Sequence, residues 1–234
     1  MGKWGISAGA AAMLTLILAG GAGAVVSQPD KVELEAVVIS GTGTEVPVKE
    51  STQSSTTITA KEIEERQAVR VEELLRYVPG VTVSQSGSRG GTTSLYLRGG
   101  QPNQTQVLFN GIRLNNTGGS FDFNALTTDN LQRLEVVRGP MSALYGADAM
   151  VGVVNLFTQK GRGGPTLNLA TGWGPHAENG WLIGEQRASL MGSYQMFSYS
   201  LGYTRVDDPG ILPLNNRYYS NTLVGRLDLD PTDN

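Results

Sequence analysis

Two hydrophobic textures divide the chain. Up to Gly161, short apolar runs alternate with helix-spaced apolar positions and turn residues. The first texture predicts a strand over Ser55–Thr59, followed by a helix over Ala60–Arg66, because Thr59-Ala60-Lys61-Glu62 fits a capping box. Val71, Leu74, Leu75 and Val78 fall on one helical face, and Pro79-Gly80 stops that helix. Val81-Thr82-Val83 and Ser94–Arg98 predict strands around a loop at Gly87–Gly91. Val107–Leu114 predicts a hairpin, since Asn110-Gly111 supplies the two positive-φ positions of a type I′ turn. A loop follows at Asn115–Ser120. Leu131–Val137 and Gly152–Gln159 are apolar strands that flank Arg138-Gly139-Pro140 and a small-residue turn or helix. The expectation is a small α+β domain, a mixed sheet with short helices, over residues 48–161.

After Gly161, polar and apolar residues alternate in segments separated by Gly, Pro, Asn and Asp: Thr166–Trp173, Glu185–Ser193, Tyr194–Val206 and Ser220–Asp230. Such dyad repeats suit transmembrane β-strands, whose signal per segment is weak. They suit a water-soluble β-sandwich equally, because alternation reports one apolar face without saying what covers it.

The N-terminus adds two further segments. Lys3, the apolar stretch Ile6–Leu18 and Ala22-Gly23-Ala24 form the three parts of a secretory signal peptide over residues 1–24. The apolar run is shorter than the ~20 residues a spanning helix needs. Residues 25–47 are polar and read as a linker. One island interrupts it, Glu35-Ala36-Val37-Val38-Ile39-Ser40. This is either a strand offered to a partner's sheet edge or the first strand of the following domain.

Composition mostly excludes. The formal charge is −3, so no basic field invites nucleic acid. Without cysteine there are no disulfides, thiolate nucleophiles or Cys-ligated zinc sites. The one histidine, His176, has Glu178, Asp207 and Asp208 as conceivable partners, but no oriented nucleophile–base pair is visible, so an enzyme is not expected. Gly87-Ser88-Arg89-Gly90-Gly91 lacks the Lys-Ser/Thr ending of a phosphate-binding loop. No cofactor or metal site is expected.

Several motifs in series carry a resemblance. Leu74-Leu75-Arg76-Tyr77-Val78-Pro79-Gly80-Val81, Leu97-Arg98-Gly99, the Val107–Leu114 hairpin, and Leu134-Glu135-Val136-Val137-Arg138-Gly139-Pro140 running through Ser142-Ala143-Leu144-Tyr145-Gly146 to Val153-Val154-Asn155 match in order and spacing. Together they resemble the plug domain of TonB-dependent outer-membrane receptors, from about Glu35 to Gly161. Phe121-Asp122-Phe123 and Asp129-Asn130-Leu131 are similar to the cobalamin transporter subfamily. Asn110 stands where the family usually has Asp, and Val151 where it has Gly.

The resemblance implies a plug followed by the first antiparallel strands of a transmembrane barrel over residues 162–234. The family's barrel has 22 strands, whereas this tail holds about four at ~9–11 residues each; the chain is expected to be truncated. It implies that Glu35, Ala36, Val37, Val38, Ile39 and Ser40 form the TonB box, which adds a strand to the periplasmic energy-coupling partner. Arg98 and Arg138 are implied to face barrel carboxylates. The plug loops 86–91, 100–104 and 115–120 are implied to meet the ligand, through Ser88, Arg89, Gln101, Asn103, Asn115 and Asn116. The implied activity is import of a scarce nutrient across the bacterial outer membrane, cobalamin first, with ferric siderophores or haem as alternatives. A secreted plug-fold binding or signalling module without a pore is a further alternative.

Overall fold

The computed structural model describes residues 54–175, 182–210 and 216–230, together with the backbone at 37–38 and 46–47. The expected signal peptide, and Glu35, Ala36, Ile39, Ser40 and His176, lie outside the described residues.

Among the described residues, thirteen strands and three short α-helices follow in order: β1 Val37–Val38, β2 Val46–Pro47, β3 Ser54–Thr59, α1 Ala60–Arg66, α2 Val71–Leu75, β4 Val81–Gln85, β5 Thr93–Leu97, β6 Thr105–Phe109, β7 Ile112–Arg113, β8 Leu131–Arg138, α3 Ser142–Tyr145, β9 Gly152–Thr158, β10 Thr166–Pro175, β11 Leu182–Tyr194, β12 Phe197–Asp208 and β13 Tyr218–Leu229. The expected α+β domain is present. Its central sheet has the order β3-β8-β9-β6-β7. It is mixed, because β6 and β9 run parallel while the other pairs are antiparallel. Among the described residues, β4 and β5 pair only with each other.

The local signals hold. Thr59 and Glu62 close both halves of the capping box: the Thr59 N–H donates to the Glu62 carboxylate at 2.8 Å, and the Glu62 N–H donates to the Thr59 hydroxyl at 3.4 Å. Asn110 and Gly111 take φ values of 51° and 82°, the left-handed pair that a type I′ turn requires. The second helix is shorter than its apolar spacing suggests. It ends at Leu75, and Val78 is buried from the turn beyond it.

The sheet is buried on both faces. Leu134, Val136, Val154 and Leu156 pack with Leu74, Leu75, Leu95, Leu97 and Phe123 on one side. Val137, Val153 and Leu108 pack with Met141 and Ala149 on the other. Successive strand residues point to opposite faces, so this double burial explains the near-continuous apolar runs of β8 and β9.

The second texture folds as one antiparallel meander, β10-β11-β12-β13. Its β11–β12 turn falls at Gln195–Met196, two residues beyond the boundary the alternation predicts. No Gly, Asn or Asp marks that turn; Gln195 itself takes the left-handed conformation, with φ 53°.

The register decides which way the alternation faces. On β12 the residues turned toward the plug are Ser198, Ser200, Gly202, Thr204, Val206 and Asp208, all buried. The residues turned away are Phe197, Tyr199, Leu201, Tyr203, Arg205 and Asp207. Their neighbours in register include Leu190, Leu223, Leu227 and Leu229. Leu223 is 75% exposed and Leu227 83%. The wall therefore carries its apolar side outward and its small and polar side inward. A soluble sandwich does the opposite, whereas a barrel wall in lipid has this polarity.

Candidate functional site

The site is the seam where the α+β domain meets the inner face of the four-stranded wall. Midway along the wall, Gly202 leaves space for the chain at Asp129 and Asn130; a Cβ on it would stand 3.3 Å from the Cβ of each. Ser200 and Thr204, on either side of that glycine, hydrogen-bond the side chains of Asn130 and Asp129. The sequence gives no hint of this contact beyond the small residues of β12.

At the end of the wall with the tight β11–β12 turn, Arg226 grips Asp228 through two bonds of 2.7 and 2.9 Å and donates to the Thr158 carbonyl at 2.9 Å. Lys160 pairs with Asp230. The chain leaving β9 is thus tied to β13 just before it becomes β10.

At the opposite end, where β10 ends, β11 begins and β12 ends, the plug loop 86–91 reaches three wall strands. The Arg89 guanidinium is 3.3 Å from Glu185 of β11 and 3.3 Å from Asp208 of β12. Gly90 lies against the ring of Tyr218 on β13, where any Cβ would overlap ring carbons. Asp208 also accepts from the Gly210 N–H at 2.9 Å, so one carboxylate joins the plug loop to the start of an outer connection.

The other expected ligand residues divide. Asn115 is buried, and its amide is consumed inside the plug. It accepts from the Val107 N–H at 2.7 Å and from Gln106 Nε2 at 3.1 Å, and donates to the Thr105 carbonyl at 3.0 Å. Its side chain braces the loop 115–120. Asn116, Gln101 and Asn103 are exposed, and Ser88 is half-buried beside Arg89.

Arg98 and Arg138 come together around Gly80, whose Cβ would lie 3.7 Å from Arg98 Cγ and 3.9 Å from Arg138 Cδ. Arg138 donates to the Pro79 carbonyl at 2.8 Å and to Ser54 Oγ at 3.1 Å. Burial, and then the Arg98 charge beside it, pull its pKa below the usual arginine value. Among the described residues neither guanidinium has a carboxylate partner.

Val37 and Val38 pair with Pro47 and Val46 in a two-residue ladder. Between α1 and the inner faces of β10 and β11 lies a cavity of about 470 Å³, lined by Glu64, Gln67, Asp129, Asn130 and Arg187 among others. Its lining mixes these polar side chains with apolar ones, among them Ile63, Leu131 and Met191.

A plug with a mixed sheet, seated against an outward-apolar β wall, defines a class, and comparison with known proteins gives the same one. Residues 47–153 match the TonB-dependent receptor plug domain family. This part of the chain is a TonB-dependent receptor plug. Over 144 residues the chain is 38% identical to the vitamin B12 transporter BtuB of Vibrio vulnificus (strain CMCP6), a match covering 62% of this chain and 24% of the relative. Among solved structures it is similar to a mutant of the ferric enterobactin receptor PfeA of Pseudomonas aeruginosa in complex with enterobactin. That likeness has a TM-score of 0.55 and 26% identity, covering 65% of this chain and 24% of that one. The pyoverdine outer membrane receptor FpvA of Pseudomonas aeruginosa PAO1 shares the fold more extensively, with a TM-score of 0.68 over 83% of this chain and 28% of that one, at 18% identity. The chain spans about a quarter of the length of these relatives.

Proposed function

We propose that the protein serves as a TonB-dependent outer-membrane receptor importing a scarce nutrient, with vitamin B12 as ligand. The observation that carries the ligand is the 38% identity to a vitamin B12 transporter across the plug. The wall supports the location: its outward apolar face suits lipid, and its inner face suits a plug. In barrels of this kind the short turns face the periplasm and the long connections face outside. The loop 86–91 then stands on the external side, where ligand arrives, and the exposed Gln101, Asn103 and Asn116 supply polar contacts in the plug's other ligand loops.

Val37 and Val38 lie at the centre of the proposed TonB box. A two-residue ladder contributes little stability, so this strand is free to exchange its partner for the edge of an energy-coupling protein. Arg98 and Arg138 meet carboxylates of further wall strands in the same reading, because two adjacent guanidinium groups favour bidentate acidic partners. No catalytic step is involved.

The experiment is ligand binding by outer membranes from cells expressing the full-length protein. Radiolabelled vitamin B12 is expected to bind saturably and to accumulate only when the inner membrane is energised. The 26% likeness to a ferric enterobactin receptor favours a siderophore as the second reading. Saturable binding of ferric enterobactin without vitamin B12 binding would replace the ligand. Extraction from cells without detergent would overturn the receptor reading in favour of a secreted module.

A further inference from the structure

The loop 86–91 closes on itself. The Ser86 N–H donates to the Thr92 carbonyl at 2.9 Å, the Gly91 N–H to the Ser88 carbonyl at 3.0 Å, and Gln85 Nε2 to the same Ser88 carbonyl at 2.8 Å. The hairpin that carries it, β4–β5, pairs with no other strand among the described residues. The loop is therefore internally shaped, but its hairpin lies outside the main plug sheet. The base of the hairpin is held in the plug, through Leu95 and Leu97 in the core and through Thr93, whose N–H donates to Asp122 at 2.8 Å; the tip of the loop is held by the wall, through Arg89 to carboxylates on two strands and through Gly90 against the Tyr218 ring on a third.

From this geometry we infer that Arg89 is a positioning residue. It clamps the external plug loop to the strand ends of the wall through Glu185 and Asp208, and so sets the height at which the loop meets ligand. This rests on the receptor reading above and gives Arg89 a different task from direct ligand contact. The ion-pair network is partly buried, with side-chain exposures of 24% for Arg89, 19% for Glu185 and 9% for Asp208, so it is less screened than a surface pair. Asp208 spends its other oxygen on the Gly210 N–H. Reversing the Arg89 charge would gather three carboxylates, whereas moving arginine to position 185 would rebuild the bridge with the signs exchanged.

The test uses the full-length protein in outer-membrane vesicles, with spin labels attached at Ser88→Cys and Asn221→Cys. Pulsed electron resonance gives the loop-to-wall distance distribution without ligand, and vitamin B12 is the binding probe. The expected result is a narrow distribution in the parent. Arg89→Glu should broaden it and weaken vitamin B12 binding by about tenfold. Arg89→Glu combined with Glu185→Arg should restore both. A narrow, parental distribution in Arg89→Glu overturns the clamp, as does a double variant as broad as the single one. Unchanged affinity in Arg89→Glu overturns the positioning role. If the parent binds no vitamin B12, the ligand reading fails while the distance distributions still decide the clamp.

Discussion

Asn110 and Thr158 hold each other reciprocally: Asn110 Nδ2 donates to Thr158 Oγ1 at 2.8 Å, and Asn110 Oδ1 accepts from the Thr158 N–H at 2.9 Å. The β6–β7 turn is thereby fixed to the end of β9, 48 residues away. The same Thr158 gives its carbonyl to Arg226 of the wall. Asn110→Ala removes both bonds and places a less tolerant residue in the left-handed region. The expected cost is about 2–3 kcal/mol, seen as faster hydrogen exchange at Val107–Phe109 in the full-length protein. Asn110→Asp keeps the acceptor and the backbone tolerance, and the Thr158 hydroxyl can turn to donate. It is expected to cost less than about 1 kcal/mol.

Gly152 starts β9 with no room for a side chain. A Cβ there would overlap both the Val137 carbonyl oxygen and Leu97 Cδ2 at the heart of the sheet. Both neighbours are in the buried core, so neither yields cheaply. Gly152→Ala is expected to cost about 3 kcal/mol or more. Limited proteolysis should find the plug cut in the variant under conditions where the parent resists.

Leu201 sits near the middle of the outward apolar band. Leu201→Arg is expected to cost about 2–4 kcal/mol in lipid, whereas Asn221→Arg, level with Arg205 at the polar end of the band, should cost about 0–1 kcal/mol. Heat-modifiable migration of the full-length protein reports assembly. Equal yields of assembled protein from the two variants would mean that this face does not meet hydrocarbon.

Val38→Pro removes an N–H from the proposed TonB box and restricts the residue before it. Energised uptake is expected to disappear while surface binding stays at the parental level. Uptake equal to the parent would remove the assignment.

Much of the plug was legible because its signals are local. The capping box, the Asn-Gly turn and the paired apolar strands each lie within a few residues. Val78 shows one limit: helical spacing recorded burial correctly, although the helix itself stops at Leu75. Asn115 shows another, for a polar residue in a loop looks the same in sequence whether it faces solvent or braces a strand. The role of Arg89 was out of reach because Glu185 is 96 residues away. The wall's alternation was visible but its direction was not. Only the register, which sets Ser200 and Thr204 against the plug, separates an inward polar face from an outward one.

The sheet order has a consequence for how the chain assembles. β3 pairs with β8, and Ser54 and Arg138, joined across that pair, are 84 residues apart. β6 and β9 lie parallel, so their pairing waits for the whole crossover between them. Such non-local topology has a high contact order and folds slowly. An emerging chain holds β3 without a partner until β8 has been delivered, and the central sheet is complete only when β9 has followed it. Gly161 fits the same schedule. It lies against the carbonyls of Gly192 and Tyr199, which exist as a surface only once β11 and β12 have paired, so the last residue of the plug is seated after its wall is built.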